Sequence, residues 1–150
     1  MSENRHDATL CRRTLLVGGS ALLASTLVSP AYADELVVVV HPDNTENPSR
    51  AQLAAMFTTR MQSWNGGLRV VPFNFPPRHQ ARVSFDNSVL QMSPDEVARY
   101  WIDRKIRGGN PPPKAVENEQ LICRLVSKLP GSIGYIPRSL AEGVRIIAEV

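Results

Sequence analysis

The sequence predicts an α/β domain, a mixed sheet flanked by about four helices. Three observations predict it. Leu36–Val40 is an unbroken apolar run of one leucine and four valines, which suits a strand covered on both faces. Later strand-like runs alternate with segments whose apolar residues recur at helical spacing, the pattern of an α/β layer. Pro-Pro, Gly-Gly and Pro-Gly pairs punctuate the intervals between them.

Taken in order, Leu36–Val40 is expected as a central strand of parallel type, ending at His41-Pro42. Ser49 caps a helix in which Leu53, Met56 and Phe57 face the core, ending near Arg60. Trp64-Asn65-Gly66-Gly67 makes a turn. Leu68 to Phe75 reads as a second strand, and Pro72 near its middle implies an edge or a bulge. After Pro76-Pro77, Ala81, Phe85 and Val89 at spacings of four give a second helix to about Leu90. Ser93-Pro94-Asp95-Glu96 opens a third with cap, first-turn proline and reciprocal glutamate. Its inward residues are expected to be Val97, Trp101 and Ile106, and Arg104, Lys105 and Arg107 complement the dipole at its end. Gly108-Gly109 stops it. A stiff loop, Asn110 to Pro113, leads to a fourth helix from about Glu117 to Leu129 with a Leu121, Leu125, Leu129 stripe. Ser132 to Ile136 is a short strand in which Gly134 implies a close approach, and Gly143 to Val150 closes the domain as a further strand.

Residues 1–33 read as an export signal. Arg12-Arg13 precedes an apolar stretch from Leu15 to Val28, and Ala31-Tyr32-Ala33 has the small-x-small pattern of a cleavage site. The paired arginines resemble a twin-arginine signal. The folded domain is therefore expected over residues 34–150, in the periplasm or secreted, with no stable membrane span after cleavage. Of the two cysteines in the chain, Cys123 alone remains there, so an intramolecular disulfide is excluded. It is expected as a buried small hydrophobe among leucines and valines.

Seventeen basic against 14 acidic residues give a net charge of +3, too weak a balance to argue for nucleic acid. A catalytic set is hard to assemble, because residues 34–150 hold only His41 and His79 as imidazole bases, and an enzyme is not expected. Neither metal-ligand spacing nor a nucleotide loop or other cofactor motif is present. One segment breaks a local rule. Arg78, His79 and Arg82 lie in the first turns of the second helix, which lacks Ser, Thr, Asp or Asn at its expected cap. Cations there oppose the dipole and the first N–H groups lack partners, and a bound anion would resolve both. The alternative is that Arg78 and Arg82 spread over the surface and reach Asp86 one turn on. His41 and Asn44, in the loop beyond the first strand, are the other candidate wall.

The segments together resemble the substrate-binding proteins of phosphate ABC transporters, of the type II periplasmic binding protein fold, and especially their short one-lobe relatives. Carriers are Val38 to Asn44; Leu53-Ala54-Ala55-Met56-Phe57 followed by Trp64-Asn65-Gly66-Gly67; Arg82-Val83-Ser84-Phe85 with Val89-Leu90; Tyr100-Trp101; and Pro130 to Tyr135. The resemblance implies a single periplasmic-binding-protein-like lobe and phosphate as ligand, with Arg82 at the matching helix. It departs from the family where a Ser-Gly-Thr loop is replaced by Pro76-Pro77-Arg78-His79-Gln80-Ala81.

Two functions are thus expected. One is an exported module binding phosphate or a similar oxyanion for uptake or sensing, with an ABC permease or other envelope protein as partner. The other is an envelope interaction module on the same scaffold, docking through Trp64, the Pro111–Pro113 loop or a sheet edge.

Overall fold

The computed structural model describes residues 35–150; the expected export signal lies outside the described residues. The chain forms β1 (Leu36–Val40), α1 (Arg50–Phe57), β2 (Val71–Asn74), α2 (Gln80–Phe85), α3 (Pro94–Ile106), β3 (Lys114–Ala115), α4 (Glu119–Lys128), β4 (Ser132–Pro137) and β5 (Arg145–Glu149). The α2 helix runs on directly as a π-helical turn, Asp86–Leu90. The strands make one five-stranded mixed sheet in the order β3-β2-β4-β1-β5.

β1 is internal and buried along its whole length, as its valine run dictates, but it is not of parallel type. It pairs antiparallel with β4, Val38 opposite Tyr135, and antiparallel with β5. The parallel half of the sheet is β3-β2-β4. A run of valines reports coverage of both faces and is silent on strand direction.

β2 is internal as well, against the expectation of an edge or bulge at Pro72. The Val71 N–H donates to the Gly131 carbonyl on the β4 side. The Pro72 nitrogen therefore faces the other side, where pairing with β3 begins only at Phe73, so no ladder bond is lost.

The two faces of the sheet are covered differently. On one, Phe57 of α1, Phe85 of α2 and Tyr135 of β4 form an aromatic cluster, with Phe85 stacked on Tyr135 at 4.0 Å between ring centroids. On the other, α4 packs on β4 and β1. There Gly134 answers the expected close approach: a Cβ at that position would lie 2.7 Å from Ile122 Cγ2. The neighbour is a side chain of α4 rather than a backbone or a ligand. Ile122 and Val126 are the buried stripe of α4, whereas Leu121 and Leu129 are exposed. The leucine stripe is corrected by one position, because two i,i+4 rows lie side by side on this helix. Asn118 caps α4, whose first residue, Glu119, lies two beyond the expected start.

The third helix has both parts of its capping box, Ser93 accepting from Glu96 N–H and Glu96 accepting from Ser93 N–H. The latter bond, first among the causes, lowers the Glu96 pKa. Val97, Tyr100 and Arg104 define its inner side. The Tyr100 hydroxyl donates to the Thr58 carbonyl at 2.9 Å and Arg104 Nη2 to that of Thr59 at 3.2 Å. This anchorage turns Ile102 and Ile106 outward, 59% and 79% exposed. The expected inward position of Ile106 is thereby corrected, and Trp101 is half-buried.

Candidate functional site

The carboxyl end of β2 leads into α2 through Asn74-Phe75-Pro76-Pro77-Arg78-His79, and this corner holds three of the five residues singled out above. Its floor is polar and closed. The buried Tyr135 hydroxyl donates to Asn74 Oδ1, which also accepts the Phe75 N–H at 2.9 Å. Burial pushes the Tyr135 pKa far up, so the phenol remains a donor. Phe75 lies beneath His79, the two rings stacked at 4.2 Å and 12°.

The start of α2 is capped after all. His79 is the N-cap and its Nδ1 accepts the Ala81 N–H at 3.3 Å, a role that imidazole nitrogen can fill when it carries no proton. The helix start expected to be uncapped therefore leaves no orphan N–H at Ala81 for an anion to satisfy.

Arg82 does not stand at the surface. Its residue is only 7% exposed, its Nε donates to Asp86 Oδ2 at 3.2 Å and its Nη1 to the Phe75 carbonyl at 2.8 Å. The i,i+4 contact with Asp86 anticipated as an alternative thus forms, inside the protein rather than over it. Asp86 opens the π-helical turn. Burial pushes its pKa up against the opposing pull of Arg82, and its Oδ1 is buried without a hydrogen-bond partner. The pair fastens α2 to the end of β2. Arg78, by contrast, is exposed and His79 half-buried, so these two side chains present the corner to solvent.

His41 and Asn44 lie elsewhere. Because β1 runs antiparallel to β4 while β2 runs parallel to it, the end of β1 lies at the same end of the sheet as the beginning of β2. The five candidates therefore occupy two opposite ends of the sheet. At the β1 end, His41 Nδ1 accepts the Asp43 N–H at 3.2 Å and Asn44 Oδ1 that of Glu46 at 2.9 Å. Arg145 Nη1 donates to the carbonyls of Asn44 and Glu46, and the Glu46 carboxylate accepts the N–H groups of Asn65 and Gly66. A hollow of about 210 Å³ lies between this loop and Gly131. Of its lining polar side chains, His41, Asn44 and Glu46 hold the loop and the Trp64 turn.

Trp64, expected as a docking residue, is 3% exposed and donates Nε1–H to the Gly131 carbonyl at 2.9 Å; it is a core residue. The Pro111–Pro113 loop is largely exposed and separates two grooves. One of about 380 Å³ is lined by Met56, Met61, Val70 and Lys114 among others; one of about 500 Å³ runs along Trp101, Ile102 and Lys105. Cys123 is half-buried and its Sγ donates to the carbonyls of Leu140 and Glu142. Sequence reasoning missed the Asn74–Tyr135 floor and the Arg145 strap. The signal for the first was an asparagine at the end of a strand, followed by Phe75-Pro76.

No family model matches the chain, and no curated protein matches it. Solved structures do. The fold is similar to that of an ABC-type phosphate transport receptor from Vibrio cholerae, at 17% identity and a TM-score of 0.59, over 76% of this chain and 45% of that one. It is also similar to PstS from Borrelia burgdorferi, at 20% identity and a TM-score of 0.60, over 77% of this chain and 47% of that one. The chain spans less than half the length of these relatives. They establish a partial periplasmic-binding-protein-like fold, five mixed strands with four helices. Among the described residues, no helix is long and apolar enough to cross a membrane.

Proposed function

We propose that this chain is an exported solute-binding module that takes phosphate or a similar oxyanion at the corner between β2 and α2, for uptake or sensing with an ABC permease or other envelope protein as partner. The observation that carries the reading is the likeness of its fold to a phosphate transport receptor. The corner lies beyond the carboxyl ends of the parallel strands β2 and β3, where open α/β sheets bind ligands. In this reading Arg78 and the rim of His79 touch the anion. Arg82, tied to Asp86 and the Phe75 carbonyl, is a positioning residue. His41 and Asn44, at the far end of the sheet, have no part in it. The reading is of a binding protein and not of an enzyme, acting in the periplasm or outside the cell.

A thermal-shift titration with phosphate, sulfate and small carboxylates tests it. Ligand at a hundred times its dissociation constant stabilises by about 2.7 kcal/mol. Phosphate is expected to raise the melting temperature, and Arg78→Ala to abolish the rise without lowering the melting temperature of the free protein. No shift at millimolar phosphate would remove the reading for the isolated chain.

The second reading, an envelope interaction module, is favoured by one observation: the exposed Pro111–Pro113 loop stands between two largely apolar grooves. Here a stoichiometric envelope partner would be retained by the wild type and lost with a Pro112→Asp variant.

A further inference from the structure

Among the described helices α3 is the longest, and it is the one the core does not use. It runs for 13 residues, of which Val97 alone is buried, and it gives the hydrophobic core neither a buried residue nor a half-buried one packed against it. By contrast, the three buried residues of the shorter α1, Leu53, Met56 and Phe57, all belong to that core. The ends of α3 are specified within the helix itself, by the reciprocal Ser93–Glu96 cap and by Arg104 and Lys105 in the last turn. One polar joint fastens it to the body. The Tyr100 hydroxyl and Arg104 Nη2 donate to the carbonyls of Thr58 and Thr59, at the end of α1.

That joint is poorly satisfied. Thr59 holds a left-handed backbone, φ 56°, which a β-branched residue rarely adopts. Thr59 Oγ1 and Arg104 Nε are both buried there without a hydrogen-bond partner, and such groups weigh against the state that buries them. The segments tethering α3 also turn through left-handed residues, Gln91 at φ 55° before it and Gly108 at φ 70° after it.

From these observations we infer that α3 is a strap that lifts from the body while the core stays folded, and that its position sets access to the grooves on both sides of the Pro111–Pro113 loop. Elements that bury little apolar surface open at the low end of a fold's range of local stabilities. The groove of about 500 Å³ has Trp101, Ile102 and Lys105 of α3 as one wall and the loop of residues 109–112 as the other, so lifting α3 widens it. The same movement bares Thr59, which lines the groove of about 380 Å³.

Thiol labelling of the purified chain reads the movement. With both native cysteines replaced by serine, Val97→Cys on α3, Thr59→Cys at the joint and Val126→Cys in the core are made one at a time. Each is labelled in the native state with a dithiobis-nitrobenzoate and referred to its rate in the urea-unfolded chain. Val97→Cys is expected to react about a hundredfold faster than Val126→Cys, whose thiol waits for global unfolding. Adding Tyr100→Phe removes one fastening bond and should speed Val97→Cys and Thr59→Cys by the same factor, about two- to tenfold. Adding Ile122→Val, which loosens the core beneath α4, should speed Val126→Cys by about two- to tenfold and leave the other two unchanged. Labelling of Val97→Cys no faster than that of Val126→Cys overturns the inference. So does acceleration of Val97→Cys by Ile122→Val, or a Tyr100→Phe change that fails to speed both Val97→Cys and Thr59→Cys.

Discussion

The β2–α2 corner and the outer face of α3 treat unusual residues in opposite ways. At the corner, groups that ordinarily face water are inside. Arg82 and Asp86 are buried and paired with each other, Arg82 also donates to the Phe75 carbonyl, and the buried Tyr135 hydroxyl donates to Asn74. On α3, groups that ordinarily avoid water face it, and Ile106 is 79% exposed. A buried charge is tolerated only when paired and hydrogen-bonded, so the corner must be rigid to exist at all. An exposed isoleucine costs the fold little, so the face is free to serve something outside the chain. Rigidity marks the place where a ligand could be held in register, and indifference marks the place where a partner could be added.

The largest losses of stability are expected at the corner. Asp86→Ala leaves Arg82 buried without its partner and is expected to cost about 3–5 kcal/mol, read as a loss of midpoint in urea unfolding. Tyr135→Ala removes the ring stacked on Phe85 and should cost a similar amount, about 3–5 kcal/mol by the scale of large-to-small core changes. On α3, Ile106→Ala should stay within about 0.5 kcal/mol of the wild type. Equal losses at both places would erase the contrast.

Smaller effects are expected at two further positions. Gly134→Ala drives a methyl into Ile122, and overpacking of this kind costs about 1–3 kcal/mol. His79→Ala removes both the cap on Ala81 and the stack on Phe75, for about 1 kcal/mol. The last effect is a pH dependence. The folded-state pKa of Asp86 is raised above 3.8 by burial, so this group favours the fold most below that pH, and its contribution is lost as pH rises through the raised value. Unfolding free energies of wild type and Asp86→Asn measured from acid to neutral pH should show the wild type losing ground relative to the variant as pH increases. A difference independent of pH would show that the carboxyl is not perturbed.

Much of the fold was legible because its signals are local. The valines of β1, the capping box at Ser93 and the turn at Trp64 each carry their meaning within a few residues. What failed is what depends on partners distant in the chain. Strand direction in β1 is set by β4 and β5, about a hundred residues on. β3 is two residues long and follows three prolines, too short for any periodicity. The burial of Trp64 rests on a carbonyl at Gly131. At the candidate site the Arg82–Asp86 contact is legible from i,i+4 spacing, but its burial is not: the core neighbours Ala81 and Phe85 place the guanidinium inside. That His41 and Asn44 belong to the opposite end of the sheet follows from topology alone.

The claim that the β2–α2 corner is the ligand end of this sheet is tested most directly by backbone amide chemical shifts of the labelled protein during a phosphate titration. Saturable shifts are expected at Arg78, His79 and Ala81, none in the His41–Glu46 loop or along α3, and the shifts should be lost in Arg78→Ala. Saturable shifts centred on His41 and Asn44, with the corner unmoved, would contradict it.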